Sequence, residues 1–391
     1  MTELCFYFQV HQPLRIGKFT FFDIGSGKSY FDTERNKTYL ARVAKKCYLP
    51  ANKLLLDLIS ETDGAFKVNF SITGVLLEQL EAHFPNVIET FDELLNTKCC
   101  ELFGETYYHS LAFLISEREF IEQIKLHKKA LKSTFGIKPK IFRNTEAVYS
   151  NKIADVVSKL GFKAAVTEGT EKILGWRSPN YLYKAKDAPL VLLLRNYRLS
   201  DDIAFRFSER SWSEHPLTAD KYAYWLANTP GDCINIFLDY ETFGEHQWPE
   251  TGIFEFMRHL PKEVMKHKHL RFSLASELIK KIKPRDELDV PELISWADID
   301  RDLSAWLENR MQKHAFEEVK KIEKSVKKSK DEKLLHEWRL LQTSDHFYYM
   351  CTKWFADGDV HKYFNPYETP YDAYINYMNV LNDLKNRLSK A

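Results

Sequence analysis

The sequence has almost no excess charge, and this excludes one broad class of partner. Its 391 residues contain 56 Lys and Arg against 55 Asp and Glu, a formal net charge of +1. A protein that binds nucleic acid through the phosphates needs a basic surface, and this charge balance indicates none. Hydrophobic residues make up 44% and charged residues 28% of the chain, which is ordinary for a globular protein. We therefore expect no nucleic-acid partner.

Long apolar runs are also missing from the sequence. No stretch approaches the length that would cross a bilayer. The sequence opens directly on a strand-like run at residues 4–10, with no basic segment before it. We therefore expect neither a membrane partner nor secretion.

Cysteines are few, and none has the CxxC spacing of a metal or redox motif. Of the six, Cys99 and Cys100 are adjacent and poorly placed for an ordinary disulfide, while Cys5 and Cys233 lie inside apolar runs. Reduced, mostly buried thiols are the simplest interpretation, and they suit a reducing compartment. The sequence therefore predicts a cytoplasmic protein.

Short strand-like runs alternate with segments of helical period through the first two-thirds of the chain. Strands are predicted at 4–10, 66–72, 100–104, 141–143, 164–166, 191–195 and 233–238, and helices at 51–59, 73–83, 117–134 and 151–160. Strand–helix alternation is typical of a parallel sheet, and this many units favour a barrel over an open sheet. We predict an α/β protein built on a TIM-like barrel.

The pattern changes after about residue 301. Apolar residues then recur every three or four positions, which predicts one long amphipathic helix over 303–326. A second helix is predicted over 334–355 and a third over 374–388. Three consecutive helices indicate a C-terminal helical bundle packed on the barrel.

Four of the predicted strands end in dense polar clusters, at 11–13, 104–109, 143–146 and 239–246. One carboxylate at a strand end is commonly a helix cap or a solvated loop residue, but four such clusters weaken that explanation. The carboxyl ends of parallel barrel strands meet on one face, which holds the active site. We therefore expect these side chains to converge: His11, Glu105, His109, Glu146, Asp239, Glu241 and His246.

Paired carboxylates on such a face are suited to glycosidic cleavage, in which one must be ionised and the other protonated. Arg143 lies close to Glu146 in sequence and would favour its ionised form, as a nucleophile requires. Burial of Asp239 and the nearby charge of Glu241 would raise the pKa of Asp239, as an acid requires. Carboxyl groups about 5–5.5 Å apart indicate retention of configuration, and about 6.5–9.5 Å inversion; the sequence does not give this separation.

The histidines of these clusters allow several interpretations. Neutral rings of His11, His109 and His246 can bind sugar hydroxyls and orient carboxylates, or they can be structural. Three such ligands plus water would also make an open catalytic zinc site. No HxH or HxxxH spacing occurs among them, so a metal would need ligands from three separate strands. We expect no metal and no cofactor.

Aromatic and acidic residues also mix in the helical region. Trp296 and Trp306 lie in the stretches 295–298 and 302–306, where a tryptophan can be a core residue or a sugar platform. Asp345 precedes His346 on the second predicted helix. This pair indicates either a face that borders the cleft or a buried hydrogen-bonded contact with the barrel.

Five segments occur in an order that resembles glycoside hydrolase family 57, the family of α-amylases, 4-α-glucanotransferases, amylopullulanases and branching enzymes. They are residues 11–15, 104–109, 142–146, 237–244 and 274–277. The resemblance covers nearly the whole chain. It implies an incomplete (β/α)7 barrel over residues 1–290 and a helical region over 291–391 that closes the active site.

The resemblance also implies roles for particular residues. The family's third region carries its nucleophile, here Glu146, and the fourth carries its acid/base, here Asp239; retention is implied with them. We expect the remaining cluster residues to bind substrate: His11, Gln12, Glu105, His109, Arg143, Glu241, His246, Trp296, Trp306 and Asp345.

The stretches 295–298 and 302–307 are most similar to the shorter archaeal-type α-amylase group, although Glu308 stands where a glycine is expected. We therefore predict a retaining hydrolase of α-1,4-glucans. A 4-α-glucanotransferase with the same carboxylates is the alternative. Two other classes are a metal-dependent polysaccharide deacetylase or mannosidase and a non-catalytic glucan-binding protein.

Overall fold

The computed structural model describes residues 1–353 and 365–390. In this part of the chain the strands are β1 Thr2–Val10, β2 Val68–Ile72, β3 Cys100–Leu102, β4 Ile141–Arg143, β5 Ala164–Glu168, β6 Tyr183–Ala185, β7 Val191–Arg195, β8 Cys233–Asp239, β9 Leu270–Phe272 and β10 Asp286–Leu288. The helices of the barrel region are α1 Thr33–Val43, α2 Leu49–Glu61, α3 Gly74–His83, α4 Pro85–Asn96, α5 Ala112–Ile115, α6 Glu117–Phe135, α7 Asn151–Lys159, α8 Glu171–Leu174, α9 Tyr197–Ala204, α10 Ala219–Asn228, α11 Ile253–Met265 and α12 Ala275–Lys281. The helices that follow are α13 Ser304–Leu307, α14 Arg310–Lys321, α15 Glu323–Ser329, α16 Glu332–Leu340, α17 Ser344–Tyr348 and α18 Pro370–Leu388.

Seven parallel strands form the barrel, in the order β8-β1-β2-β3-β4-β5-β7. The first four are continuously paired, as are the last three. Gly104 pairs with Phe142 and joins β3 to β4. Between β7 and β8 the contact is sparse: the Asn196 N–H donates to the Asn235 carbonyl at 2.9 Å, and the Asn235 amide donates to the Leu194 carbonyl at 2.9 Å. The predicted barrel fold is confirmed.

The side chains of β1 point alternately into the barrel and out of it, and this alternation explains how the barrel interior is filled. All nine of its residues are buried, because β2 and β8 flank it on both edges. Successive side chains point to opposite faces of a strand. Phe6 and Phe8 pack outward under the helices, and Cys5 and Tyr7 point into the barrel. Gln9 continues the inward row and makes the interior polar where the active-site end begins.

The helical region shares one apolar core with parts of the barrel. Trp338 and Tyr377 pack in the same cluster as Phe19, Tyr30 and Leu111. Because Phe19 and Tyr30 belong to the connection after β1, and Leu111 to the connection after β3, the helices lie over the ends of the barrel strands.

The long helix predicted over 303–326 is wrong, since α13, α14 and α15 replace it. Asn309 accepts from the Gln312 N–H and starts a new helix there in a capping box. The helix predicted over 334–355 is also interrupted, between α16 and α17, where Thr343 bridges to Ser110 of the barrel; its last two residues lie outside the described part of the chain. The third predicted helix is confirmed as the C-terminal part of α18.

Several elements were not predicted from the sequence, among them α1, α4, α10, α11 and the three-residue strands β6, β9 and β10. A three-residue strand is too short to show a period. No helix in the described part of the chain is both long and apolar enough to cross a bilayer. All six cysteines are free, and all but Cys351 are buried.

Candidate active site

A cleft lies at the carboxyl ends of the barrel strands, between the barrel and the helical region. Ten of the twelve side chains that the sequence predicts for the site line it: His11, Gln12, His109, Glu146, Asp239, Glu241, His246, Trp296, Trp306 and Asp345. They come from four strand ends and from the helical region. The convergence expected from the strand-end clusters therefore occurs.

Glu105 and Arg143 are not among the residues that line the cleft, and their binding of substrate stays a prediction. Both have no exposed surface and lie beneath the cleft floor. Glu105 accepts from Ser71 and from Gln9 at 3.3 Å, inside the barrel. The Arg143 guanidinium lies 4.7 Å from the centre of the Trp296 ring. These two residues support the side chains above them.

Glu146 lies in a short turn after β4 and holds both carboxylate oxygens in hydrogen bonds. Its Oε1 accepts from His109 Nε2 at 3.1 Å and from the Ser344 hydroxyl at 2.8 Å. Its Oε2 accepts from the Trp296 indole N–H at 3.0 Å. Three donors from three parts of the chain therefore fix the orientation of this carboxylate.

The protonation of Glu146 follows from these contacts. Burial alone would raise its pKa, but the hydrogen bond and charge of His109 and the charge of Arg143 outweigh burial, and the pKa lies below its ordinary value. The backbone of Glu146 is left-handed, with φ of 56°, and that of His109 has φ of 48°. Such strained backbone in non-glycine residues is concentrated at functional sites.

His109 connects Glu146 to Glu105. Its Nδ1 lies 3.3 Å from Glu105 Oε2, opposite the contact of Nε2 with Glu146. Burial disfavours a charged ring, but the hydrogen bonds to the two carboxylates raise the pKa of His109 to about 9. Burial would likewise raise the pKa of Glu105, yet the bond and charge of His109 lower it to about 2. At neutral pH an imidazolium therefore lies between two carboxylates.

Asp239 ends β8, and its pKa is shifted in the opposite direction to that of Glu146. Burial, followed by the negative charge of Glu146, raises the pKa of Asp239 to about 6 against the charges of Arg143 and His109. The sequence predicts this direction and its largest cause, burial, but assigns the neighbouring charge to Glu241. The neighbouring anion is Glu146, so the two carboxyls whose roles differ are electrostatically coupled.

Glu241 is a third carboxyl in the cleft. Burial, and then the charge of Asp239, raises the pKa of Glu241 to about 8. Its Oε1 accepts from the Tyr48 hydroxyl at 2.5 Å and from the Gln12 amide at 3.4 Å. Glu241 is therefore neutral at pH 7 and offers a proton donor to the cleft.

A metal site among these residues is disfavoured by their geometry. Among the described residues, His11, His109 and Asp345 offer ligand atoms within 4.8 Å of one another, and His246 is not part of this group. The rings of His11 and His109 are stacked, with centroids 4.0 Å apart and planes at 25°. The nitrogens of the two rings therefore lie in two nearly parallel planes about one ring stack apart, and an ion cannot lie in both planes close to them.

The ring nitrogens of this pair also have protein partners. His11 Nδ1 lies 2.9 Å from Thr73 Oγ1, and Nε2 lies 3.1 Å from Asp345 Oδ2. Burial and the charge of His109 lower the pKa of His11, so its ring is neutral. The negative charge of Asp345 assigns the single proton to Nε2. His246 is half-buried on the cleft wall, where burial lowers its pKa to about 4, and it too is neutral.

The two tryptophans differ in their surroundings. Trp296 is half-buried and donates to Glu146, which neither the core nor the platform interpretation predicted. Trp306 is only 2% exposed and belongs to the core of the helical region, although its edge reaches the cleft. Sequence reasoning missed further residues that line or support the cleft: Gln9, Arg15, Arg195, Phe205, Ser344, Tyr348 and Tyr349. Ser344 directly precedes Asp345, and that adjacency was the one available signal.

Comparison with known proteins identifies the family. The model of glycosyl hydrolase family 57 matches residues 5–291. The chain belongs to this family. A relative from Methanocaldococcus jannaschii, named "Putative alpha-amylase", is 51% identical over 99% of this chain and 86% of its own length. The chain is thus an enzyme of a family of glycoside hydrolases and transferases.

Solved structures of family 57 enzymes share the fold. The 4-α-glucanotransferase of Thermococcus litoralis superposes with a TM-score of 0.71 at 15% identity, over 97% of this chain and 59% of that protein. The branching enzyme of Thermococcus kodakaraensis superposes with a TM-score of 0.70 at 14% identity, over 100% of this chain and 91% of that one. At these identities the likeness establishes the barrel and the helical region that follows it.

Proposed function

We propose that this family 57 enzyme is a retaining hydrolase of α-1,4-glucans, of α-amylase type, with Glu146 as nucleophile and Asp239 as acid/base. The observation that carries the proposal is the opposite protonation of two buried carboxyls in one cleft. The pKa of Glu146 is lowered, and that of Asp239 is raised to about 6. Between these values one carboxyl is anionic and the other keeps its proton, which is the pair that glycosidic cleavage needs.

In the first step, a Glu146 oxygen attacks the anomeric carbon and forms an ester bond to the sugar. The glycosidic C–O bond breaks, and Asp239 gives its proton to the departing oxygen. In the second step, the Asp239 carboxylate takes a proton from water while the water oxygen attacks the anomeric carbon. Glu146 leaves as a carboxylate, and the configuration at the anomeric carbon is retained.

The coupling of the two carboxyls suits this exchange of roles. The charge of Glu146 is one of the two main causes that raise the pKa of Asp239. When Glu146 becomes an ester, that charge disappears and the pKa of Asp239 falls. Asp239 is then ionised, as a general base must be, and it recovers its higher pKa when Glu146 is released.

The cleft supplies surfaces for a glucan. Trp296, Phe205 and Tyr348 line it with aromatic surface, on which the C–H face of a pyranose can pack. Neutral Glu241 and His246 offer hydrogen bonds to hydroxyl groups without a charge to desolvate. The relative's α-amylase name supports hydrolysis as the reaction.

The helical region takes part in the proposed site. Trp296, Ser344 and Asp345 come from it, while Glu146 and Asp239 come from the barrel. This supports a division of the chain into a barrel over 1–290 and a region over 291–391 that closes the active site. The free cysteines support a reducing, cytoplasmic setting.

Product analysis on maltoheptaose tests the reaction. Hydrolysis gives only shorter chains with rising reducing ends, whereas a 4-α-glucanotransferase gives shorter and longer chains at constant reducing ends. Binding of maltoheptaose without any turnover would instead indicate a glucan-binding protein.

Azide tests the roles of the carboxyls. With an activated α-glucoside, Asp239→Ala should accumulate the glycosyl-enzyme and release α-glucosyl azide, because azide needs no base. Glu146→Ala should give β-glucosyl azide by direct displacement. The reverse assignment of the two anomers would refute the proposed roles.

A further inference from the structure

Trp296 lies on the loop 295–303, which covers the turn that holds Glu146. The Trp296 backbone N–H donates to the Glu146 carbonyl at 3.3 Å, and its indole N–H donates to Glu146 Oε2 at 3.0 Å. The tip of this loop is exposed, since Ile299 is 88% exposed. Something other than apolar packing at the tip must therefore fix the loop against the barrel.

Arg301 supplies that attachment. Its Nη1 donates to the Trp296 carbonyl and to Glu168 Oε2 at 3.2 Å, and its Nη2 donates to Asp201 Oδ2 at 3.3 Å. Glu168 ends β5, and Asp201 lies on α9. One guanidinium thus joins the carbonyl of the tryptophan to two fixed elements of the barrel.

A second arginine completes a ring of four charges. Arg195 donates to Glu168 at 3.1 Å and to Asp201 at 2.5 Å. The side chain of Glu168 is fully buried, and those of Arg195, Asp201 and Arg301 are 4%, 12% and 15% exposed. A buried ion-pair cluster gives little net stability against well-packed apolar residues, because desolvation offsets the attraction. Its directional bonds can still define one geometry.

We propose that Arg301 is a positioning residue, which acts through Trp296 to hold the indole N–H on Oε2 of the nucleophile. The inference rests on the proposed function, because that assigns the nucleophile to Glu146. Loss of Arg301 frees the Trp296 carbonyl and lets the indole move away from Glu146. The carboxylate then loses one of its three donors, and its pKa rises.

The test compares Arg301→Met and Arg301→Lys with a matched control, Arg198→Met. Arg198 also forms an ion pair, with Glu171, but its side chain is 75% exposed. Arg301→Met should lower kcat about 10-fold, as for loss of one charge-assisted hydrogen bond, with a smaller change in KM. The acidic limb of the pH profile should move to higher pH. Arg301→Lys has three donors on a single nitrogen and cannot reproduce the spread of contacts from Nη1 and Nη2, so its rate should fall between the two. Arg198→Met should match the native enzyme.

A double-mutant cycle with Trp296→Phe separates positioning from general destabilisation. If Arg301 acts through Trp296, then Arg301→Met should cost little further activity once the indole N–H is gone. Fully multiplicative losses would overturn the proposal. If Arg301→Met does not fold, the same double-mutant cycle is measured with Arg301→Lys and Trp296→Phe.

An activity-independent measurement keeps this inference distinct from the proposed function. The indole ¹H–¹⁵N resonance of Trp296 is identified among the eight tryptophans by its absence in Trp296→Phe. It should move in Arg301→Met and stay in place in Arg198→Met; an unmoved resonance would refute positioning. If the resonance moves while Glu146→Gln keeps full activity, the positioning holds and the assignment of the nucleophile fails.

Discussion

The indole N–H of Trp296 donates to Oε2 of Glu146 at 3.0 Å, although 150 residues separate the two in the sequence. This contact joins the helical region to the carboxylate that we assign as the nucleophile. Together with the bonds from His109 and Ser344, it fixes the orientation of that carboxylate.

Trp296→Phe keeps an aromatic ring, although a smaller one, and removes this donor. A hydrogen bond to a charged group contributes about 1.5–3 kcal/mol, so kcat/KM should fall roughly 10- to 100-fold. Steady-state kinetics on maltoheptaose measures the loss. Trp176→Phe is the control, because Trp176 is 94% exposed, and it should leave the kinetics unchanged. A native rate for Trp296→Phe would mean that this bond does not matter in the reaction.

The two carboxyls predict the pH dependence of kcat/KM. The acid must be protonated, and the raised pKa of Asp239, about 6, means that the rate falls by about tenfold per pH unit above that value. The nucleophile must be ionised, and since the pKa of Glu146 is lowered, the acidic limb lies below the ordinary value for Glu. An activated substrate that needs no protonation should remove the alkaline limb in Asp239→Asn. A rate that still rises between pH 6 and pH 8 would contradict this assignment.

Glu241 should behave as a neutral hydrogen-bonding group. Its pKa of about 8 means that Glu241→Gln, which is also neutral, keeps the acceptor for Tyr48 and a donor for the cleft. At pH 5–7 this variant should keep activity within about 5-fold of native, because no charge is removed. Glu241→Ala should lose far more activity. Equal losses in the two variants would show that the ionised form of Glu241 is required.

Chelation tests the metal-dependent classes directly. The rings of His11 and His109 are stacked, and all four of their ring nitrogens contact protein groups, which favours catalysis by the carboxyl groups without a metal. Prolonged dialysis against a chelator should leave kcat and KM unchanged. If the chelator abolishes activity and added zinc restores it, the protein would instead be a metal-dependent deacetylase or mannosidase.

Much of the barrel and its site can be predicted from the sequence, because both depend on local patterns. Strand ends carry the cluster residues Glu146 and Asp239, and parallel strands bring their ends to one face. The directions of the two pKa shifts can also be predicted from the sequence. The charge that helps to raise the pKa of Asp239 cannot be, because the anion beside Asp239 is Glu146. Glu241 is nearer to Asp239 in the sequence but is itself neutral.

The contributions of the helical region were harder to predict. The donors to Glu146 from Trp296 and Ser344 depend on how the helices dock, and sequence period carries no information about docking. The break before α14 did have a signal, since Asn309 and Gln312 have the spacing of a capping box. The apolar spacing is continuous across this break, and that spacing predicts one helix.

The three donors to Glu146 are synthesised at different times, because they lie in different parts of the chain. His109 and Glu146 emerge from the ribosome with the barrel, while Trp296 and Ser344 follow only after residue 290. A nascent barrel therefore holds the carboxylate by one donor of three. We therefore expect the growing polypeptide to reach its full rate of catalysis only after Trp296 and Ser344 have been translated and have packed against the barrel.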